Sequence, residues 1–167
     1  MRTLVLIRHA KSSWDTVGLA DHDRPLNDRG RRDAPRMGRR LARRGTVPDL
    51  IVTSSAVRAR STAELIASEL GAGTVVEAAR IAVDERLYAS SVEELALVIR
   101  SLDDDLGCVA LVGHNPEISE LARRFSNEID EMPTTAVVEL SFDLASWADF
   151  GVTAPTMVLF DSPRRSQ

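Results

Sequence analysis

The sequence predicts an α/β domain of three layers, with a mostly parallel central sheet, helices on both faces and an antiparallel edge strand. Strand-like and helix-like segments alternate along the chain, which is typical of such sheets. The runs 3–7 and 108–112 are continuously apolar, as expected for strands that are buried on both faces. The last two strand-like runs, 136–142 and 156–160, have no helical pattern between them, so at least one should pair antiparallel at a sheet edge.

Length and composition indicate one domain. Of the 167 residues, 44% are hydrophobic and 28% charged; we assign residues 1–161 to a single domain and residues 162–167 to a flexible tail. The net charge of −4 disfavours general nucleic-acid binding, and the single cysteine, Cys108, excludes an intramolecular disulfide. The apolar run 4–7 is too short for a signal peptide, and no run approaches the roughly 20 apolar residues of a membrane helix. We therefore expect a cytoplasmic protein that does not bind membranes.

The first half of the chain predicts two strand–helix units. The run 3–7 leads through a polar loop, 11–26, to a helix that Asn27 can cap and Gly45 can end. The short run 50–53 predicts the second strand. The helix that follows it has an apolar face made of Ala59, Ala63, Ile66 and Leu70.

The second half predicts two more helices and the remaining strands. Residues 75–83 can form one or two short extended pieces. Ser91 and Glu94 form a capping box, which marks the start of a helix. After the second continuously apolar run, Asn115 is the candidate N-cap of a helix that has Pro116 at its first position.

Three predicted strands end in polar residues that suit phosphate chemistry. Arg8 and His9 follow the first strand, Arg58 begins the helix after the second, and His114 and Asn115 follow the run 108–112. Because ligands bind at the carboxyl ends of the strands in open α/β sheets, these side chains are expected to meet. Guanidinium groups bind phosphate oxygens with forked donors, and a neutral imidazole is a competent nucleophile.

Each of these residues has a simpler interpretation when it is taken alone. Arg58 could be a solvated helix residue or an ion-pair partner, and His114 could belong to an ordinary turn. Their joint position at strand ends would then require three coincidences, which favours a single functional site. The remaining histidine, His22, lies in the polar stretch DHDR and is predicted to be solvated or locally hydrogen-bonded. The scattered histidines and the single cysteine have no spacing typical of a metal site.

The motifs around these residues resemble those of the histidine phosphatase (phosphoglycerate mutase-like) superfamily. RHAKSSW resembles its Arg-His-Gly signature, SSAVRARST its second-arginine motif, GHNP its second-histidine motif and RPLNDRG the segment that leads into its first helix. The combination covers roughly residues 2–125 in order and spacing, which makes it specific. The short chain is most similar to SixA-type phosphohistidine phosphatases.

The resemblance implies a phosphoglycerate mutase-like fold and phosphoryl chemistry through a covalent phosphohistidine on His9. Arg8, Arg58, His114 and Asn115 would surround the phosphate, and the reaction would need no metal ion or other cofactor. The segment between Arg58 and His114 is mostly consumed by one helix and one or two strands, which leaves little room for a long lid. An open pocket favours a phosphorylated protein as substrate. The alternatives are a small-molecule phosphomonoesterase or mutase of the sugar phosphate type, and a non-catalytic module that binds phosphorylated ligands.

The resemblance also implies a carboxylic general acid between the second arginine and the second histidine. The segment DERLY makes Glu85 the candidate and Asp84 its rival. Two residues depart from the family pattern. Ala10 replaces the glycine of the signature, and Asp15 stands where mutases often carry an asparagine, which argues against mutase activity unless the carboxylate is paired. Lys11 is then a possible substrate contact.

A basic stretch offers a second functional hypothesis. Residues 29–44 contain eight arginines and one aspartate. A helix there could line one face with Arg32, Arg36, Arg39, Arg40 and Arg43. Such a face is usually solvated, but it could dock an acidic partner protein and, less readily, a nucleic acid.

Overall fold

The computed structural model describes residues 1–71 and 79–165. Within these residues the chain forms six strands: β1 (Arg2–Arg8), β2 (Leu50–Thr53), β3 (Arg80–Val83), β4 (Cys108–Gly113), β5 (Val137–Phe142) and β6 (Met157–Asp161). The same residues form four α-helices: α1 (Asp28–Arg43), α2 (Val57–Leu70), α3 (Val92–Arg100) and α4 (Glu117–Arg123). None of these helices is long and apolar enough to cross a membrane.

The strands form one sheet in the order β3-β2-β4-β1-β5-β6. Strands β1 to β4 pair in parallel, whereas β5 pairs antiparallel with both β1 and β6. The prediction of a mostly parallel sheet with antiparallel pairing at one edge is confirmed. Of the predicted extended pieces in 75–83, Arg80–Val83 is β3 at the other edge, and residues 75–78 lie outside the described part of the chain.

Both faces of the sheet are covered, as the continuously apolar strands predict. Leu4 and Leu6 of β1 belong to one buried core with the apolar residues of α3 and α4. Val5 and Ile7 belong to a second buried core with those of α1 and α2. Successive side chains of a strand point to opposite faces, so β1 contributes to both cores and lies in the middle of the three layers.

The start of α1 is packed closely against the segment that follows β1. The Asn27 side chain accepts a hydrogen bond from Gly30 N (2.9 Å), which confirms the predicted cap, and Asn27 N donates to Lys11 O (3.0 Å). A Cβ atom at Gly30 would overlap the carbonyl oxygen of Lys11, so glycine is needed at this position. The cap therefore fixes the backbone next to the first histidine motif.

The prediction that Asn115 caps α4 is wrong. The helix begins at Glu117, and Pro116 occupies the N-cap position. The Asn115 side chain instead accepts a hydrogen bond from Ser119 Oγ (2.6 Å) and donates to Met132 O (3.1 Å). A side-chain hydroxyl thus takes the oxygen that was expected to accept a backbone N–H.

The prediction that Arg40 lies on an exposed basic face of α1 is also wrong. Its side chain is buried, with Nη1 2.8 Å from Asp161 Oδ1, because that carboxylate of β6 balances its charge. Arg40 also donates to Ser162 O (2.9 Å) and Arg165 O (3.0 Å). Residues 162–165 are therefore held against α1, which differs from the expected flexible tail; residues 166–167 lie outside the described part. The other members of the expected face, Arg32, Arg36, Arg39 and Arg43, are exposed.

Candidate active site

The two histidine motifs meet at the carboxyl edge of the sheet. Residues at the ends of β1 and β4 are partners in register, Arg8 with Gly113, and His9 N donates to Gly113 O (3.0 Å) just beyond the strand. The rings of His9 and His114 are consequently close, with centroids 5.0 Å apart. The parallel register of neighbouring strands thus brings together two imidazoles that are far apart in the chain.

His9 has one ring nitrogen fixed and the other facing its cationic neighbours. Nδ1 lies 2.8 Å from Ala10 O, and since a carbonyl can only accept, Nδ1 carries the proton. Nε2 is then an unprotonated acceptor, 3.4 Å from the donor Arg58 Nε. Burial lowers the pKa of His9 to about 3, although its hydrogen bond to Ala10 opposes the shift. The ring is neutral at pH 7 and has a free lone pair on Nε2.

The alanine in place of the signature glycine is accommodated in the core. Ala10 is fully buried, and its backbone N–H donates to Thr62 Oγ1 (2.9 Å). Thr62 in turn donates to Arg58 O (2.7 Å), one turn earlier in α2. The hydroxyl of Thr62 therefore ties the backbone beside His9 to the helix that carries Arg58.

Arg58 connects the two histidines to a carboxylate. In addition to His9, its guanidinium contacts His114 Nδ1 through Nη2 (3.3 Å). The same nitrogen lies 3.0 Å from Asp21 Oδ2, and Nη1 donates to Asp21 O (2.7 Å). The side chain is buried, so this arrangement holds a cation between both imidazoles.

His114 is fixed on its other side by a serine that follows β2. Its Nε2 lies 2.7 Å from Ser54 Oγ, and because Nδ1 accepts from Arg58, Nε2 carries the proton. Burial lowers the pKa of His114 to about 4, and the Arg58 charge adds to this effect while Asp21 opposes it. Both imidazoles are therefore neutral in the free protein.

Arg8 supplies positive charge that is only weakly balanced. Its Nη1 donates to Met132 O (2.8 Å) and lies 3.6 Å from Glu131 Oε1, whose side chain is 71% exposed. Its Nε is buried and has no hydrogen-bond partner among the described residues. The Arg8 charge lowers the pKa of both His9 and His114. A buried donor without a partner beside two neutral imidazoles is suited to an incoming anion.

The sequence analysis missed Asp21 and Tyr88. Asp21 Oδ2 accepts from Tyr88 OH (2.9 Å) as well as from Arg58, and Oδ1 accepts from Arg24 Nη1 (3.0 Å). Burial would raise the pKa of Asp21, but these hydrogen bonds outweigh it and lower the pKa to about 2. The only sequence signal for Asp21 was its place in the polar stretch directly before RPLNDRG.

His22 lies nearer to the site than expected. The predicted local hydrogen bond is present, between Nδ1 and Asp23 Oδ1 (3.2 Å). Nε2 also lies 3.0 Å from Ser55 Oγ, and the ring packs edge-on against Tyr88 at 4.8 Å. Tyr88 packs in the same manner against His114, at 5.6 Å. The three histidines therefore form one aromatic row with Tyr88.

Besides Arg8, whose side chain contacts Met132 and Glu131, three predicted site residues stay outside this hydrogen-bonded cluster. Glu85 is exposed at the start of a short 3₁₀ turn and makes no hydrogen bond to the cluster within residues 1–71 and 79–165. Its rival Asp84 forms an ion pair with Arg86 (2.6 Å). Asn115 points towards Met132, as described above, and Lys11 is exposed. The roles of all predicted site residues in the reaction stay predictions.

Comparison with known proteins identifies the family. The sequence model of the histidine phosphatase superfamily (branch 1) matches residues 4–89, the part that carries Arg8, His9 and Arg58. The chain belongs to the histidine phosphatase superfamily. An uncharacterized protein from Mycobacterium tuberculosis is 34% identical over 170 residues, which span 95% of this chain and 100% of that protein.

Solved structures of this superfamily have the same fold. A protein from Agrobacterium tumefaciens, provisionally assigned as the phosphohistidine phosphatase SixA, is 28% identical with a TM-score of 0.75, over 85% of this chain and 92% of that one. The protein histidine phosphatase SixA complexed with tungstate has a TM-score of 0.77 at 18% identity, over 96% and 97% of the two chains. The chain therefore has the predicted phosphoglycerate mutase-like fold.

Proposed function

We propose that this histidine phosphatase hydrolyses phosphorylated histidine side chains of proteins through a covalent intermediate on His9. The observation that carries the proposal is the arrangement of His9. Its Nδ1 is held by a backbone carbonyl at 2.8 Å, its Nε2 contacts Arg58 Nε, and its ring lies 5.0 Å from the ring of a second histidine. A fixed tautomer with a free lone pair next to cationic donors is what nucleophilic attack on phosphorus requires.

In the first step, His9 Nε2 attacks phosphorus in line with the bond to the leaving group. The P–N bond of the substrate breaks, and its electron pair stays on the substrate imidazole, which takes up a proton. Arg58 Nε then exchanges its contact with His9 Nε2 for a phosphoryl oxygen, and the unpartnered Nε of Arg8 supplies a second donor. Positioning and charge stabilisation of this kind provide most of the catalysis in phosphoryl transfer.

In the second step, water attacks the phosphorus on His9. The bond between phosphorus and Nε2 breaks, its electron pair returns to Nε2, and one proton of the water passes to a phosphate oxygen as inorganic phosphate leaves. His114 supports both steps: Ser54 holds its Nε2–H, and a bound dianion would favour protonation of Nδ1, which then donates to a phosphoryl oxygen.

The acid–base groups near the cluster favour phosphohistidine over an alkyl phosphate. An alkoxide leaving group needs a positioned acid, whereas an imidazole is a much better leaving group. Within the described residues, the carboxylate that contacts the cluster directly is Asp21, and a pKa of about 2 makes it a poor acid at neutral pH. Glu85 is the predicted acid for esters, and its exposed position fits a minor role for ester hydrolysis.

Trapping the intermediate tests the covalent mechanism. Protein incubated with a radiolabelled phosphodonor should carry label that is lost in acid and stable in base. The label should be absent from His9→Asn and present in His22→Asn, the matched control in which a different histidine near the site is removed. Label that persists in His9→Asn would contradict the mechanism.

A substrate comparison tests the leaving-group argument. A protein phosphorylated on histidine should be turned over faster than any member of a panel of sugar phosphates. Faster release of phosphate from the sugars would overturn this preference, and recovery of isomerised sugar phosphates would identify a mutase instead.

A further inference from the structure

We name the hydrogen-bonded group of His9, Arg58, His114 and Asp21 the catalytic cluster. An open depression of about 410 Å³ lies next to it and has a mostly cationic lining. Four of its lining side chains are cationic, Arg8, Lys11, Arg29 and Arg164, and one is a carboxylate, Glu131. Arg8 lines this depression and is the residue directly before His9 at the end of β1. A ligand bound at the cluster can therefore extend into the depression past Arg8.

Much of this positive charge is not balanced within the protein. Lys11 and Arg164 are exposed and form no side-chain hydrogen bond or ion pair with the residues that the structure describes. Arg29 pairs with Asp33 only at 3.4 Å, and Glu131 is 3.6 Å from Arg8 and largely exposed. The depression therefore has a net positive charge that an anionic ligand would offset.

The cations are held in place by the fold and come from three separate segments. The backbone of Lys11 is fixed by the hydrogen bond from Asn27 N. Arg29 lies in the first turn of α1, which Asn27 caps. Arg164 lies in the turn whose Ser162 and Arg165 carbonyls accept hydrogen bonds from the buried Arg40. Convergence of three anchored segments distinguishes this groove from an ordinary run of solvated side chains.

We propose that this depression, the Arg164 groove, binds acidic side chains that flank the phosphorylated residue of a protein substrate. The inference rests on the proposed function and assigns its substrate class. An acidic segment complements the spare charge, and an open groove that continues from the phosphate cluster suits a chain that extends in both directions. Exposed ion pairs each contribute up to about 1 kcal/mol, so two or three pairs together are expected to change kcat/KM about tenfold.

The test uses two histidine-phosphorylated peptides of equal length, one with glutamates beside the phosphohistidine and one with glutamines. At low ionic strength the acidic peptide should have a kcat/KM about tenfold higher, and the ratio should shrink at high salt, because exposed charges are screened. Arg164→Gln should reduce the ratio to about twofold to threefold. Glu131→Gln, which removes the carboxylate of the groove, should increase it.

The matched control is Arg43→Gln, which makes the same charge change at the far end of α1, about 21 Å from Arg29 at 1.5 Å per residue. The ratio should be unchanged in this variant. An equal loss in Arg43→Gln and Arg164→Gln would reduce the effect to overall charge and overturn the proposal. So would a gain of the same size for a sugar bisphosphate over its monophosphate that Arg164→Gln removes, because the groove would then select small molecules.

Binding to His9→Asn separates this inference from the proposed function. Fluorescence anisotropy of labelled phosphopeptides on this variant measures recognition without turnover. If the wild type turns over both peptides equally and both bind His9→Asn equally, the proposed role of the groove is wrong and the proposed phosphatase activity is supported. If neither peptide is turned over but the acidic one binds about tenfold tighter in a manner that depends on Arg164, the phosphatase fails and the groove stands.

Discussion

Two groups of buried or partly buried arginines in this molecule meet different partners. Between α1 and the sheet, Arg40 and Arg44 contact Asp161 at 2.8 Å, and Arg44 contacts Glu139 at 2.6 Å; we name these four residues the α1–sheet ion network. Here the carboxylates, which are 10% exposed or less, face the guanidinium groups directly. The charges are matched within the protein, and the network fastens α1 and the C-terminal turn to β5 and β6.

At the candidate active site the same residue type is left with positive charge that the protein does not balance. Arg58 has one half-exposed carboxylate, Asp21, and Arg8 has only the exposed Glu131 at 3.6 Å and a buried Nε without a described partner. The two histidines are neutral and do not offset the positive charge of Arg8 and Arg58. The comparison teaches that burial of an arginine does not by itself indicate an anion-binding site. The better indication is an arginine whose charge is incompletely neutralised by carboxylates, because an anion can then bind there.

The largest expected effect is on catalysis, from Arg58→Ala. Loss of a preorganised donor to a transition-state oxygen typically lowers kcat about 100- to 1,000-fold. The free energy of unfolding should fall less than in a variant that leaves a buried carboxylate unpaired, because the Asp21 carboxylate is half exposed and stays solvated. Steady-state kinetics and urea unfolding measure both. The control is Arg60→Ala, at an exposed position two residues further along α2, which should retain activity. An equal loss of kcat in this variant would contradict a specific role for Arg58.

The corresponding substitution in the α1–sheet ion network is Arg40→Ala. Removing one partner of a buried pair leaves Asp161 underbalanced, although Arg44 still contacts it, so a loss near 3 kcal/mol in the free energy of unfolding is expected. Turnover of a peptide without acidic flanks should stay within about twofold per folded molecule. A fall in kcat comparable to that of Arg58→Ala would break the distinction between the two groups.

The two groups of arginines should also differ in how pH affects stability, because only the arginines of the candidate active site lie next to buried imidazoles. His9 and His114 have folded pKa values of about 3 and 4, below the roughly 6.5 of an unfolded histidine. The folded state therefore binds fewer protons, and stability is lost as pH falls from about 6.5 towards 4, by at most a few kcal/mol. Urea unfolding at pH 7, 6 and 5 measures the loss.

Two variations sharpen the pH experiment. His9→Asn should flatten the profile, because only His114 then contributes. Phosphate should protect increasingly at lower pH, since a bound anion stabilises the protonated imidazoles. Identical stability at pH 7 and pH 5 without phosphate would mean that the two rings are not desolvated as the structure implies.

The difference between the groups also explains what the sequence could predict. Arg8 ends β1, His9 and His114 directly follow β1 and β4, and Arg58 lies in the first turn of the helix after β2. The rule that ligands bind at the carboxyl ends of strands was therefore enough to predict that they lie near one another. Burial of Arg40 depends on Asp161, which lies 121 positions away, and no local pattern reports such a partner. The helical period alone therefore placed it on the solvent face.

Loop residues escaped prediction for a related reason. Asp21 and Tyr88 come from two polar segments 67 positions apart, and they meet where Asp21 contacts Arg58 and Tyr88 packs against His114. Neither segment has a hydrophobic period that fixes the direction of a side chain. The same lack of period explains why the acid could be assigned to DERLY only by resemblance, whereas the residue of that segment that contacts the cluster is Tyr88.

The smallest expected effect tests whether Asp21 positions Arg58 or merely neutralises it. In Asp21→Asn the backbone carbonyl still accepts from Arg58, so kcat should fall only about tenfold, by loss of one charge-assisted hydrogen bond. The site also becomes more positive, so inorganic phosphate should inhibit more strongly. Asp21→Glu should recover part of kcat, and Asp23→Asn, a nearby carboxylate paired with His22, is the matched control.

The split between the two kinetic effects decides the question. A positioning role predicts a lower kcat together with tighter phosphate inhibition, since the charge that oriented Arg58 also opposed the anion. If Asp21→Asn instead lowered stability by about 3 kcal/mol and left kcat unchanged, Asp21 would act as Asp161 does in the α1–sheet ion network. Arg58 would then be a compensated arginine like Arg40, and the spare charge of the candidate active site would reside on Arg8 alone.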